Sequence, residues 1–173
     1  QNIQGSSSSS NTISVASGHK ISGAAGSIVA PGQVIQMQNT QVPGTNDTST
    51  SASYIDTGLS VNITPKFSTS KIVVIVHQVV SIDPGNTHTR IDFKCIEAGG
   101  TDIYVMLYHG YDGVSGPRIQ RNMSGSGVFQ CSNTNQLTFK TQIRKANGSQ
   151  SLQFFPLWLS SSVHSIQALE IAQ

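Results

Sequence analysis

Along most of this chain, apolar and polar residues take turns one for one. Ile55, Thr57, Leu59, Val61 and Ile63 are interleaved with Asp56, Ser60 and Asn62, the period of two that marks a half-buried strand. Pro65 ends that run, because proline has no N–H to give to a ladder. Lys71 to Val80 reads KIVVIVHQVV, apolar on both faces, and predicts a strand near the centre of the packing. Asp83-Pro84-Gly85-Asn86 predicts a turn, since proline presets φ and glycine accepts positive φ. Arg90 to Ile96 then sets Ile91, Phe93 and Cys95 against Arg90, Asp92 and Lys94. Gly99-Gly100 folds it into a hairpin with Ile103, Val105 and Leu107. Leu137, Phe139, Thr141 and Ile143 predict another alternating strand, with Lys140 and Arg144 facing out. Asn147-Gly148 turns the chain into Leu152 to Leu159, and a last strand runs from about Val163 to Ala172.

Nowhere do apolar residues recur at helical spacing over a helical length, so no sizeable helix is expected. Short strands separated by Gly, Pro and Asn turns predict an all-β fold, an antiparallel β-sandwich of jelly-roll-like type over residues 33–173. Residues 1–32 differ. The first ten end in five serines and read as a flexible lead-in. From 11 to 32, small apolar clusters (Ile13 and Val15, Ile21, Ile28 and Val29) alternate with Gly18, Gly23, Gly26 and Gly32. Such a segment has too little to bury alone. It is either a glycine-rich stem that wraps with other copies or an irregular arm crossing its own domain.

Composition narrows the function classes. Charged residues are 10% of the chain, far below the roughly 25% of ordinary soluble domains. Ser and Thr carry the polarity instead, which suits strands and turns of an extracellular or particle-bound protein. The net charge of +2, without any basic run interleaved with aromatics, argues against nucleic acid. No run approaches the roughly 18 apolar residues of a membrane-spanning helix, so no membrane insertion is expected. Residues 1–10 lack the basic start and apolar core of a signal peptide. Cys95 and Cys131 could form a disulfide, but the plainer reading makes both small buried hydrophobes.

The candidate chemistry is sparse. None of His19, His77, His88, His109 and His164 pairs with another ligand at metal-binding spacing. His77 is expected as a hydrogen-bonded histidine of the central strand, and His88 and His109 as solvent residues. A three-fold axis could gather copies of His19 or His164 around a metal, yet no metal and no cofactor is the expectation. Asp102 and Asp112 are the nearest approach to a carboxylate pair. Asp92 between Arg90 and Lys94 reads as a surface ion-pair strip. With no GxSxG elbow and no phosphate loop, no catalytic residue is expected and the chain is not read as an enzyme. Tyr104, Tyr108 and Tyr111, with His109, are candidates for stacking on a sugar ring; alternatively Tyr104 and Tyr108 pack in a sheet and only Tyr111 is exposed. Trp158 belongs to the core or to an inter-subunit face.

Three stretches carry a resemblance. SASYIDTGLSVNITPKFSTSKIVVIV, residues 51–76, resembles a motif recurrent in phage tail-fibre and spike proteins. SIQALEIAQ, residues 165–173, is similar to the chain terminus of the same group, and GHKISGAAGSIVAPGQVIQ, residues 18–36, to the glycine-rich approach to that domain. The resemblance implies a virion structural protein, a tail fibre, spike or head fibre at the virion surface. It implies a homotrimer working with other virion proteins, and it supplies no catalytic residue; a host-surface glycan is the partner that the tyrosine cluster would take. The long Gly- and Ser-rich stretch 108–135 departs from simpler members and is expected as a surface excursion. A capsid decoration protein is the alternative within the same resemblance, and readings from other classes are a secreted carbohydrate-binding module and an extracellular filament subunit using its N-terminal segment as a donated strand.

Overall fold

The computed structural model describes residues 17–18, 29–45, 47–82, 89–110, 119–147, 151–154 and 164–173. These form strands β1 (Val34–Val42), β2 (Asp47–Ser49), β3 (Ile55–Ile63), β4 (Lys71–His77), β5 (Val79–Ile82) and β6 (Thr89–Glu97), followed by β7 (Asp102–Gly110), β8 (Ile119–Asn122), β9 (Gly125–Gln130), β10 (Leu137–Asn147), β11 (Leu152–Phe154) and β12 (His164–Ile171). No helix occurs among the described residues.

The strands make one antiparallel sheet in the order β1-β12-β4-β9 and a second in the order β3-β10-β6-β7. Numbering the long strands along the chain and leaving out β2, β5, β8 and β11, the orders become 1-8-3-6 and 2-7-4-5. That is the two-sheet Greek-key winding of a jelly roll. The short strands form a third sheet, β2-β11-β5-β8. There β5 and β8 prolong β4 and β9 of the first sheet, while β11 follows β10 of the second. The two main sheets are therefore stitched together at one end, and Leu152, Gln153 and Phe154 are buried at the stitch.

Alternation explains the packing. Ile72, Val74 and Val76 of β4 and Ile166 and Ala168 of β12 point inward from the first sheet. Leu59, Val61, Ile63, Ile91, Phe93, Cys95, Phe139 and Ile143 meet them from the second. Phe129 and Phe139 contact edge-to-face at 5.6 Å. Ends are tied as well: Gly32 N–H donates to the Ala172 carbonyl and Ala172 N–H to that of Gln33.

The expected KIVVIVHQVV strand is interrupted at Gln78, which divides β4 from β5. Its side chain is fully buried, and its Oε1 accepts from the Thr141 hydroxyl at 2.9 Å; Thr141 in turn shares a hydrogen bond with Thr57. This side-chain hydrogen bond joins the two sheets at the point where β4 gives way to β5.

Stretch 108–135 is not a plain excursion, for it contains β8 and β9. Period-two burial in Gly125–Gln130 was hidden by glycines that carry no hydrophobic signal. Gly125 lies under the Tyr104 ring and Gly127 against the Ile103 backbone. The hairpin of β6 and β7 also differs in face from the expectation. A bulge between Cys95 and Ile96 pairs Cys95 with Tyr104 and Phe93 with Met106. Tyr104 and Met106 therefore pack on the core, while Val105 is exposed.

Candidate association surface

The two outer faces of the sandwich are chemically opposite. In the second sheet, Asp56, Arg90, Lys94, Asp102, Lys140 and Arg144 cover the outside. Asp92 is fully buried beneath them, bound by Arg90 Nε at 2.6 Å and by Arg144 NH2 at 2.7 Å. The sequence-based strip is thus corrected: Lys94 turns instead to Asp102 at 2.9 Å. Asp92 takes its second cation from β10 because Arg144 is its cross-strand partner. Lys94 and Arg144 both lie 4.6 Å from the centre of the Tyr54 ring, a cation–π arrangement. Hydrogen bonds from Lys140 and then Gln142 hold the Asp56 carboxyl below its usual range. The Asp92 hydrogen bonds hold the Arg144 guanidinium above its own.

On the first sheet the picture reverses. Its strands contain two residues of the Asp, Glu, Lys and Arg classes, Lys71 and Glu170. Glu170 faces inward and is fully buried. Cross-strand partners share a face, so the registers build the outer surface row by row. The second row is apolar from edge to edge: Met37, Leu169, Val73 and Val128. The first holds Val34, Ile171, Lys71 and Gln130, and the third Asn39, Gln167, Ile75 and Ser126. Val128 is 60% exposed, Met37 57%, Val34 48% and Ile75 41%. Single exposed hydrophobics need no explanation, but a row crossing four strands is a patch.

Glu170 links the segments that carry the phage-fibre resemblance. Its Oε1 accepts from the backbone N–H of Lys66 at 2.8 Å and of Phe67 at 3.2 Å, and its other oxygen from Gln36 Nε2. Burial alone would raise its pKa, yet the donors facing it (the Ser70 hydroxyl, Gln36 and the two backbone groups) hold it below the usual value. The ITPKFSTSK turn and the LEIAQ terminus are therefore one structural unit, and the acidic residue near the chain end is a clamp.

The other sequence-predicted residues distribute as follows. Tyr104 is not free to stack on a sugar: its ring packs 6.0 Å from Phe93 and its hydroxyl donates to the Met123 carbonyl at 3.1 Å. Burial pushes the phenol pKa up. Tyr108 and His109 lie in β7 with side chains outside the described residues, and Tyr111 lies wholly outside them, as do Trp158, His19, His88 and Asp112. Cys95 and Cys131 are free, buried thiols, and burial raises Cys95 to about 12. His77 is half-buried on the outer face, whereas His164 is fully buried. Its Nδ1 accepts from the Val79 N–H at 3.2 Å. Burial, then the neighbouring His77, lowers it to about 4. Among the described residues no group of His, Cys, Asp and Glu could hold a metal ion. No described helix is long and apolar enough to cross a membrane.

The apolar row leaves no mark in the local sequence pattern. Met37, Val128 and Leu169 stand in three separate stretches of sequence, and only the register brings them into line.

No protein-family model matches the chain, and no curated protein sequence matches it. Among solved structures, the VP2 subviral particle of infectious bursal disease virus is similar at 16% identity, over 80% of this chain and 33% of that one, with a TM-score of 0.43. The same virus's Gt strain gives 12% identity over 88% and 36%, with a TM-score of 0.38. The insecticidal delta-endotoxin Cry8Ea1 of Bacillus thuringiensis gives 14% over 74% and 20%, with a TM-score of 0.40. The chain thus spans between a fifth and about a third of the length of these proteins, and at such likeness its function rests on its own residues.

Proposed function

We propose that this chain is a virion structural module of the surface-appendage kind, a tail-fibre, spike or head-fibre domain working as a homotrimer. It acts by holding and binding rather than by turnover. The observation that carries the reading is the Glu170 clamp, because it joins into one unit two separate segments, 51–76 and 165–173, that each resemble the phage group. Sparse charge on one whole sheet suits a protein built to lie against others in a particle. Host-surface glycan contact is assigned to Tyr108, His109 and Tyr111, with Tyr104 spent on the core. Weak sites on three copies would add through avidity.

Electron microscopy of virions with a gold-labelled antibody against the chain tests this. Gold at fibre or spike tips supports the appendage. Gold spread evenly over the shell would turn the reading to a decoration protein, and virions without gold would defeat both. A glycan array then separates recognition from pure assembly.

A further inference from the structure

The geometry points to the outer face of the β1-β12-β4-β9 sheet as the surface on which copies of this chain meet. The inference rests on the homo-oligomeric reading above and deepens it by naming the face and the residues at its centre.

The occupant follows from charge and size. A partner rich in charge would find nothing to pair with, since Lys71 is the one outward residue of the four charged classes on these strands. Copies of this face gathered about a shared axis lose no ion pair and desolvate almost no charge in docking, which removes the main cost of association between polar surfaces. Lys71 sits in the first row, beside the strand ends, so its ammonium can reach water at the rim while the apolar second row is covered. The opposite outer face is the reverse case. Its Asp92, Arg90 and Arg144 are already bound to one another, and covering them with a like surface would strip water from a satisfied network.

Size agrees. Four strands about 4.8 Å apart, with about eight residues each rising about 3.4 Å, give a planar footprint of about 500 Å². With side-chain relief its accessible area is on the order of the 800 Å² per partner that a stable interface needs. The row Met37, Leu169, Val73 and Val128 runs through the body of that footprint, where energetically dominant contacts gather, and the polar Asn39, Gln167 and Ser126 line its far side.

The test is sedimentation of the full chain and three variants. Met37→Glu and Val128→Glu change side chains that are 57% and 60% exposed, so the domain should fold, and near-ultraviolet circular dichroism checks that it does. Val105→Glu, 50% exposed on the other sheet, is the control. The native chain and Val105→Glu should sediment as the same oligomer. Each first-sheet variant should self-associate at least about a hundredfold more weakly, because an unpaired carboxylate would be buried. A native oligomer left intact by both variants would overturn the inference while leaving the appendage reading standing. A native monomer would overturn the inference and the trimer together. In that case, slow thiol labelling of Val128→Cys, against buried Cys95 and Cys131, would hand the face to residues 1–28 of the same chain.

Discussion

Replacing Glu170 by Gln tests whether the buried carboxylate is the clamp that fastens the β3–β4 turn and the first strand to the last. In the native chain Oε1 takes two backbone N–H groups, from Lys66 and Phe67, and Oε2 takes Gln36 Nε2. An amide has one acceptor to offer. If its oxygen keeps the backbone pair, its NH2 confronts the Gln36 amide. That amide cannot turn over without giving up its hydrogen bond to the Thr64 carbonyl at 2.7 Å. Two charge-assisted bonds then become neutral ones and a third is lost, a cost of about 2–3 kcal/mol. For a chain of this length that lowers Tm by about 5–10 °C. Urea denaturation at neutral pH measures it. The acid side gives a second signature. Because the Glu170 pKa is held below the ordinary 4.5, its contribution is complete above that value and fades as pH falls below it. Glu170→Gln should flatten that part of the stability–pH curve. A variant within about 0.5 kcal/mol of the native chain, with an unchanged acid limb, would refute the clamp.

Three further outcomes follow from other parts of the sandwich. Gly127→Ala would place a methyl 2.4 Å from the Ile103 carbonyl oxygen; calorimetry should find a loss of about 1–3 kcal/mol as β7 is pushed from β9. Thr141→Val keeps the shape but deprives Gln78 Oε1 of its donor, so denaturant titration should show about 1–3 kcal/mol lost, with no gain from the added methyl. His164 is lowered to about 4 from an ordinary 6.5, so the unfolded chain takes its proton first. The stability His164 confers is whole above pH 6.5 and drains as pH falls toward 4, by about 1–3 kcal/mol; His164→Asn should remove that slope between pH 6.5 and 4, and a slope identical in both proteins would sink the assignment.

How much could be read beforehand depends on what each strand had to bury. β3, β6, β10 and β12 announced themselves because one face of each is packed, so burial writes the period of two directly into the sequence. β9 did not, because Gly125 and Gly127 are small for a steric reason that lies in β7, more than twenty residues earlier. The same is true of Val105. Its outward turn depends on a bulge between Cys95 and Ile96, and a bulge leaves no trace in an apolar pattern. Glu170 looked like part of a short acidic ending, and its partners lie about a hundred residues away in sequence. Arg144 was expected to face out, yet its bond to Asp92 needed the β6–β10 register. Local alternation thus revealed the strands, whereas the clamp, the ion network and the apolar row are products of register.

The most direct measurement of the association surface uses methionine methyl resonances with a soluble paramagnetic agent. The chain has three methionines: Met37 stands exposed in the apolar row, Met123 is buried, and Met106 packs on the core. In a dissociated chain the agent should broaden Met37 and spare the other two. At concentrations where the oligomer forms, the account predicts that Met37 becomes as protected as Met123. A Met37 signal still fully broadened in the oligomer would contradict it, for the copies would then be meeting through some other face.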